Sequence, residues 1–495
     1  MIAILLNDNA YEQDIRELLM AFYPGESFVY ERDEDAAVAV VGQFSQDRRT
    51  YKLFLVARGK LEFHPWNASP EERKEFAVFD EPIPVDPDSR VETKNRIKRR
   101  LYVILKAHTG KSLPWGTLTG IRPTKIAMTK LDEGMCEEEI YAYMKKTYFT
   151  SDEKIALSIE IAKREKELLS SIDYRHGYSL YIGIPFCPTT CLYCSFTSYP
   201  IGKWEGRTQL YLDALCKEME YVAEKKKGCP LDTVYFGGGT PTSLSAGDLD
   251  LLITKLKTVF DFSGVQEFTV EAGRPDSITR EKLGVLKKHG VTRISINPQT
   301  MKQETLDLIG RRHSVEDVKS CFWLAREMDF DNINMDLIIG LPEETLEDVR
   351  ATMEEIKTLG PDSVTVHSLA IKRAARLNTM KEVYKDLKIV NTQEMIDLTA
   401  QYAREMGLEP YYLYRQKNMA GNFENVGYAA KGKACIYNVL IMEEKQTIIG
   451  CGAGTTTKIL YPDENRLERV ENVKNVEQYI GRIDEMIGRK EKDLR

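Results

Sequence analysis

Long apolar runs and paired cysteines are both scarce in this chain of 495 residues. No stretch approaches the roughly 20 apolar residues needed to cross a bilayer, so no membrane segment is expected. The Ile2–Leu6 run is too short for a signal-peptide core and has no basic residue before it, so it reads as a strand and the chain as cytoplasmic. An excess of positive charge is also missing. The net charge of −7 gives no general reason to expect nucleic acid as a partner. No internal repeat or low-complexity tract appears. The mix of 42% hydrophobic and 29% charged residues is that of a globular protein, and the length calls for more than one domain. Six of the nine cysteines, Cys136, Cys216, Cys229, Cys321, Cys435 and Cys451, show no close spacing. In a reducing compartment they read as core filling or incidental.

The other three stand together. An apolar strand, Leu180–Pro185, runs into Cys187-Pro-Thr-Thr-Cys191-Leu-Tyr-Cys194, a C-x3-C-x2-C loop with neither Cys nor His close behind it. A structural zinc site wants four ligands, usually from paired C-x2-C spacings, and remains an alternative. A disulfide is the other. A [4Fe–4S] cluster is normally held by four thiolates. Three thiolates from one loop would cap three irons and leave the fourth open to a small molecule, which this spacing fits best.

Downstream, strand and helix patterns alternate. Strands are expected at Leu180–Pro185, Thr233–Phe236, Glu267–Glu271, Arg293–Ile296, Asn332–Ile339 and Ser363–Leu369, with amphipathic helices between them. Such alternation demands parallel strands and crossover helices. The expected fold class is α/β, a partial (β/α)6 barrel over residues 179–376 with its site at the strand C-termini. An N-terminal α+β module is expected over 1–115, a linker with helices over 116–178, and a smaller C-terminal α+β domain over 377–495. Within the first module, strands are expected at Ile2–Leu6, Ala37–Val41, Tyr51–Ala57 and Lys60–Phe63, with helices at Ala10–Phe22 and Arg90–His108. The second helix carries seven Lys and Arg residues and reads as a solvated face. In the last domain Ile436–Met442 and Thr447–Gly450 read as strands.

The strand ends carry candidate ligand groups. Strand two ends in Gly237-Gly238-Gly239-Thr240, which lets backbone approach a ligand closely. Strand three ends in Glu271 and strand four leads to Gln299, with Arg311 beyond it. Asp336 lies inside an apolar strand, where an unpartnered carboxylate costs several kcal/mol; a buried Asp–Arg pair is the bland explanation.

The cysteine loop, with Tyr193 before its last cysteine, resembles the radical S-adenosylmethionine superfamily. Its Tyr181-x-x-Ile-Pro-Phe-Cys lead-in is similar to the oxygen-independent coproporphyrinogen III oxidase family. Trp115-Gly-Thr-Leu-Thr-Gly-Ile-Arg-Pro and Tyr412-Leu-Tyr-Arg-Gln-Lys-Asn resemble the HemZ-like branch, labelled coproporphyrinogen dehydrogenase. The resemblance implies a [4Fe–4S] cluster on Cys187, Cys191 and Cys194, with S-adenosylmethionine on its open iron. Tyr181, Gly238, Gly239, Thr240, Glu271, Gln299, Arg311 and Asp336 match positions that contact the cosubstrate, and Tyr193 the position beside its adenine.

The implied substrate is a tetrapyrrole, and the implied reaction is oxidative decarboxylation of coproporphyrinogen III, fed by an electron donor such as flavodoxin or ferredoxin. Two departures open alternatives. Gly183 stands where the family's oxidases usually carry His, and Ser195-Phe196 where they carry Gly-Cys. A haem-binding chaperone and a haem-modifying radical methyltransferase are therefore rival readings. For the substrate carboxylates, Arg373 in Lys372-Arg-Ala-Ala-Arg376 and Arg415 in the aromatic segment are the expected clamps, because the guanidinium fork fits a carboxylate.

Overall fold

The computed structural model describes residues 1–495 apart from 32, 34, 58–76, 79–80, 373, 381, 385, 417–422, 465, 493 and 495. The chain forms two compact units, one over Met1–Glu160 and one over Ile161–Arg415 and the described chain beyond 422.

In the first unit Ile2–Leu6 pairs parallel with Phe28–Val29 and with Val38–Phe44, and the latter runs antiparallel to Thr50–Ala57. Helices Glu12–Phe22 and Arg90–Thr109 bury Ile15, Leu18, Phe22, Ile97, Leu101 and Leu105 in the core this sheet shares. The Ser89 hydroxyl caps the second helix by accepting from the Glu92 amide, and Gly110 ends it with φ +69°. The basic helix is not wholly solvated: Lys98 is buried and donates to the Thr119 hydroxyl at 2.7 Å. Lys60–Phe63 lies outside the described residues.

The second unit is built on an eleven-stranded sheet. Its centre is six parallel strands in sequence order: Tyr178–Ile184, Leu231–Gly238, Glu267–Glu271, Arg293–Ser295, Ile333–Ile339 and Ser363–Ser368. A crossover helix follows each of the first five, as parallel pairing requires. Helices Val315–Glu327 and Leu346–Leu359 start with Ser314 and Thr345, whose hydroxyls cap the third amide while Asp317 and Asp348 reach back. This is the six-strand α/β arrangement the alternation predicts.

C-terminal strands extend both edges. Asn425–Ala429 runs antiparallel to the sixth strand and is joined by Glu409–Tyr414. On the opposite edge Thr447–Cys451 pairs parallel with the first strand, followed by Thr456–Tyr461 and Arg466–Glu471.

Ile436–Met442 is not a strand: Ile436–Glu443 is a helix. Its first turn is capped from elsewhere in the unit, because the Glu267 carboxylate accepts from the amides of Ile436 at 2.7 Å and Tyr437 at 3.2 Å. Of the single cysteines, Cys435 and Cys451 are buried, whereas Cys136 and Cys229 are exposed and fill no core. Among the described residues no helix is long and apolar enough to cross a membrane.

Candidate cluster and cosubstrate site

The cysteine loop leaves the first strand at Pro185 and is closed at its base. Phe186–Cys187 pairs with Tyr199–Pro200, and the Tyr199 amide bonds the Pro185 carbonyl at 2.8 Å. At its far end the Leu192 amide bonds Ile309 O at 2.9 Å and its carbonyl accepts from Leu377 at 3.1 Å. The Leu192 side chain is sunk among Ile309, Ile338, Leu341, Leu369 and Leu377, with Tyr193 packed beside it. Burying one such leucine stabilises the loop by about 1.5–3 kcal/mol. The loop is thereby fixed over the C-terminal ends of the fifth and sixth strands.

All three sulfurs accept hydrogen bonds, Cys194 from the Phe196 amide and Cys191 from Arg311 as well as Arg274. The Thr240 hydroxyl donates to Cys187 Sγ at 3.5 Å, and Arg274 Nη1 donates to Cys191 Sγ at 3.5 Å. Burial pushes the Cys187 thiol up and the Cys194 thiol up to about 11, so metal binding must release their protons. Among the described residues no three His, Cys, Asp or Glu side chains converge on one single-ion position. A cubane takes each thiolate on a different iron and does not ask for such convergence.

Glycine 237 to 239 form a cradle next to Cys187. The Gly239 amide bonds Ile184 O and the Thr240 amide bonds Phe186 O, both at 2.7 Å. A Cβ on Gly239 would lie 2.5 Å from Phe186 O and 3.0 Å from Cys187 Sγ, while Gly238 has φ +108°. Both features exclude a side chain here. Beside them Tyr181, Tyr235 and Tyr437 stack, with centroids of the last two 4.5 Å apart. The Tyr235 hydroxyl donates to Glu271 at 2.7 Å. Burial raises Glu271 to about 7, the Tyr235 bond opposing it.

Among the described residues no arginine forms an ion pair with Asp336, although the charge of Arg293 reaches it. Asn334 Nδ2 donates to it at 2.6 Å and His367 Nε2 stands 3.9 Å away. Burial alone would raise this carboxyl, but His367, the Asn334 bond and the charge of Arg293 together outweigh it and hold the group low. Gln299 sits at φ +72°, an unfavourable conformation for any residue but glycine. Arg311 donates to the Asn297 and Gly273 carbonyls and leans on Tyr193.

Several polar atoms around these strand ends are buried with no hydrogen-bond partner: Asn297 Oδ1, Gln299 Oε1, Arg311 Nε and both ring nitrogens of His313. Such atoms are costly unless a ligand or water meets them. Buried donors and acceptors of both kinds, a glycine cradle and three thiols without a fourth suit a cluster with a polar cosubstrate.

The structure thus brings together Cys187, Cys191, Cys194, Tyr181, Tyr193, Gly238, Gly239, Thr240, Glu271, Gln299, Arg311 and Asp336 at one end of the sheet. Of the two expected carboxylate clamps, Arg373 lies outside the described residues. Arg415 follows the strand whose Tyr414 pairs with Asn425 beside the end of the sixth strand. It is buried, and desolvation pushes its guanidinium down to about 10, with Glu424 opposing. Arg274 and His367 were not among the expected residues. An arginine three positions beyond Glu271, and a histidine near the end of the sixth strand, are the signals that point to them.

The Radical SAM superfamily profile matches residues 181–356. The chain is 43% identical over 427 residues to the oxygen-independent coproporphyrinogen-III oxidase-like protein HemZ of Bacillus subtilis, covering 85% of each chain. It is 34% identical over 279 residues to the heme chaperone HemW of the same organism, covering 56% of this chain and 69% of that one. Among solved structures it is similar to the coproporphyrinogen III oxidase HemN of Escherichia coli, a radical SAM enzyme, with TM-score 0.51 and 23% identity over 65% of this chain and 72% of that one. The chain therefore belongs to the radical S-adenosylmethionine superfamily, within the oxygen-independent coproporphyrinogen III oxidase-like family, and its cofactors are a [4Fe–4S] cluster and S-adenosylmethionine.

Proposed function

We propose that this enzyme oxidatively decarboxylates coproporphyrinogen III to protoporphyrinogen IX. One observation at the rim of the site supports this substrate class. Phe196, two residues after Cys194, is 69% exposed, and Lys372 Nζ lies 5.5 Å over its ring. Lys372 is also within electrostatic reach of Cys194. A bare aromatic face beside an ammonium suits a large ring system edged with carboxylates.

In this reading Cys187, Cys191 and Cys194 hold the cluster. Carbonyls of the Gly237–Gly239 run accept from the cosubstrate ammonium. Glu271 and Asp336 accept from its hydroxyl or ammonium groups, Gln299 and Arg311 meet its polar edge, Tyr181 lines its pocket, and Tyr193 packs beside its adenine. When bound, the cluster and S-adenosylmethionine supply a carbon radical that abstracts hydrogen. Lys372, Arg373 and Arg415 hold the propionates so that one β-carbon faces the site. At each reacting propionate one hydrogen atom is taken, the bond to the carboxylate breaks, carbon dioxide departs and one electron passes to an external acceptor, leaving a vinyl group. A flavodoxin- or ferredoxin-type donor in the cytoplasm completes the scheme.

A second reading rests on Gly183. A Cβ there would stand 2.5 Å from Thr455 Cγ2, so the space for a polar side chain beside the first strand is already filled. That favours a haem chaperone, as the HemW relative is named, or a haem-modifying methyltransferase. Anaerobic turnover with reduced cluster, S-adenosylmethionine and coproporphyrinogen III, followed by mass spectrometry, decides. The proposal expects products lighter by one and two units of formic acid (CO2 plus two hydrogens); unchanged porphyrinogen, with haem bound or methylated instead, overturns it.

A further inference from the structure

We propose that Arg274 is a positioning residue for the cluster, fixing the cysteine loop and raising the cluster's reduction potential through its hydrogen bond to Cys191. The side chain is only 3% exposed. A guanidinium so buried is costly unless its donors are met. Asp276 meets two of its nitrogens in a fork, Nε to Oδ1 at 2.9 Å and Nη2 to Oδ2 at 2.6 Å. That fork fixes the guanidinium plane and leaves Nη1 aimed at the loop. Nη1 reaches Thr189 Oγ1 at 3.0 Å, Thr189 O at 3.4 Å and Cys191 Sγ at 3.5 Å. Thr189 in turn donates to Gly310 O at 3.1 Å, so the same contact ties the loop to the turn before Arg311.

Reduction adds an electron to a cluster that is already anionic with its thiolates. A donor on a ligand sulfur, carrying positive charge, stabilises the reduced form more than the oxidised one, and hydrogen bonds to sulfur are among the recognised determinants of cluster potential. Asp276 offsets part of that charge but does not touch the sulfur in the contacts described. The role is independent of which tetrapyrrole is turned over.

The test uses the full chain, reconstituted anaerobically without substrate. The iron content of the wild type checks the cluster assignment on its own. Arg274→Gln is expected to keep its iron yet show, in a potentiometric titration read by electron paramagnetic resonance, a tenfold lower reduced-to-oxidised ratio at fixed poise. For a one-electron couple that is a shift of about 59 mV to more negative potential. Arg274→Lys keeps a cation on Asp276 without the fork and is expected to fall between the two. An iron-loaded Arg274→Gln protein with the wild-type midpoint overturns the proposal. Should that variant not hold iron, Arg274→Lys decides: a negative shift supports the role and an unchanged midpoint removes it.

Discussion

The Tyr235 hydroxyl donates to Glu271 Oε1 at 2.7 Å, a side-chain bond that opposes burial at this carboxyl. Burial raises Glu271 from the ordinary 4.5 to about 7. Its carboxylate form is the one that accepts from a cosubstrate, so S-adenosylmethionine affinity is expected to fall as pH drops from 8 to 6. Tyr235→Phe should move that fall to higher pH, and Glu271→Gln should bind weakly with no such pH dependence. The stability sign runs the other way. The folded-state value lies above the unfolded one, so wild type loses stability relative to Glu271→Gln as pH rises from about 4.5 to about 7. Calorimetry at three pH values checks the binding; an affinity flat across them contradicts the role.

Asp336 is held by Asn334 and faced by His367. Asp336→Asn is expected to weaken cosubstrate binding by about 1.5–3 kcal/mol, the scale of a charged hydrogen bond, with iron content intact. His367→Ala should lose less, because the Asn334 bond remains. Unchanged affinity in Asp336→Asn removes this residue from the site.

Lys372→Gln at the rim should weaken coproporphyrinogen binding by about 1 kcal/mol, and Arg415→Ala at its buried position by about 1.5–3 kcal/mol. Uncoupled cleavage of S-adenosylmethionine should continue in both. Fluorescence titration with a redox-inert porphyrin measures the first effect and product chromatography the second. If both variants bind porphyrin as wild type does, the propionates are held elsewhere.

The C-terminal helices are pinned by a buried charge pair. Lys490 donates to Glu218 at 2.5 Å, both side chains being fully buried, and Tyr479, Asn472 and the Gly452 amide bond the same carboxylate. Removing one member strands the other. Lys490→Ala is expected to destabilise the fold by about 3–5 kcal/mol, whereas Lys490→Met with Glu218→Gln, which removes both charges and keeps an acceptor for the other donors, should recover part of it. Chemical denaturation of the single and double variants measures this; equal losses in both contradict the pairing account.

The six central strands could be read from the chain because each of the first five is followed by its own amphipathic helix, a local pattern. Glu267–Glu271 falls where it was expected. The cysteine loop and the glycine run were equally legible, since few other chemistries need those residues at that spacing. What could not be read depends on partners far along the chain. Ile436–Glu443 is a short apolar run whose helical start is capped by Glu267, so no local signal separated it from a strand. Thr447–Cys451 joins the sheet only through its register with the first strand, Ile449 opposite Leu180. Arg274 looked like one more loop arginine until the fold set it against Cys191.

The most direct test of the whole account follows one atom. Coproporphyrinogen III deuterated at the propionate β-carbons would be turned over anaerobically with reduced enzyme and S-adenosylmethionine, and the released 5′-deoxyadenosine weighed by mass spectrometry. The account predicts deuterium in that nucleoside, with protoporphyrinogen IX formed alongside. Deuterium-free 5′-deoxyadenosine and intact coproporphyrinogen would contradict it.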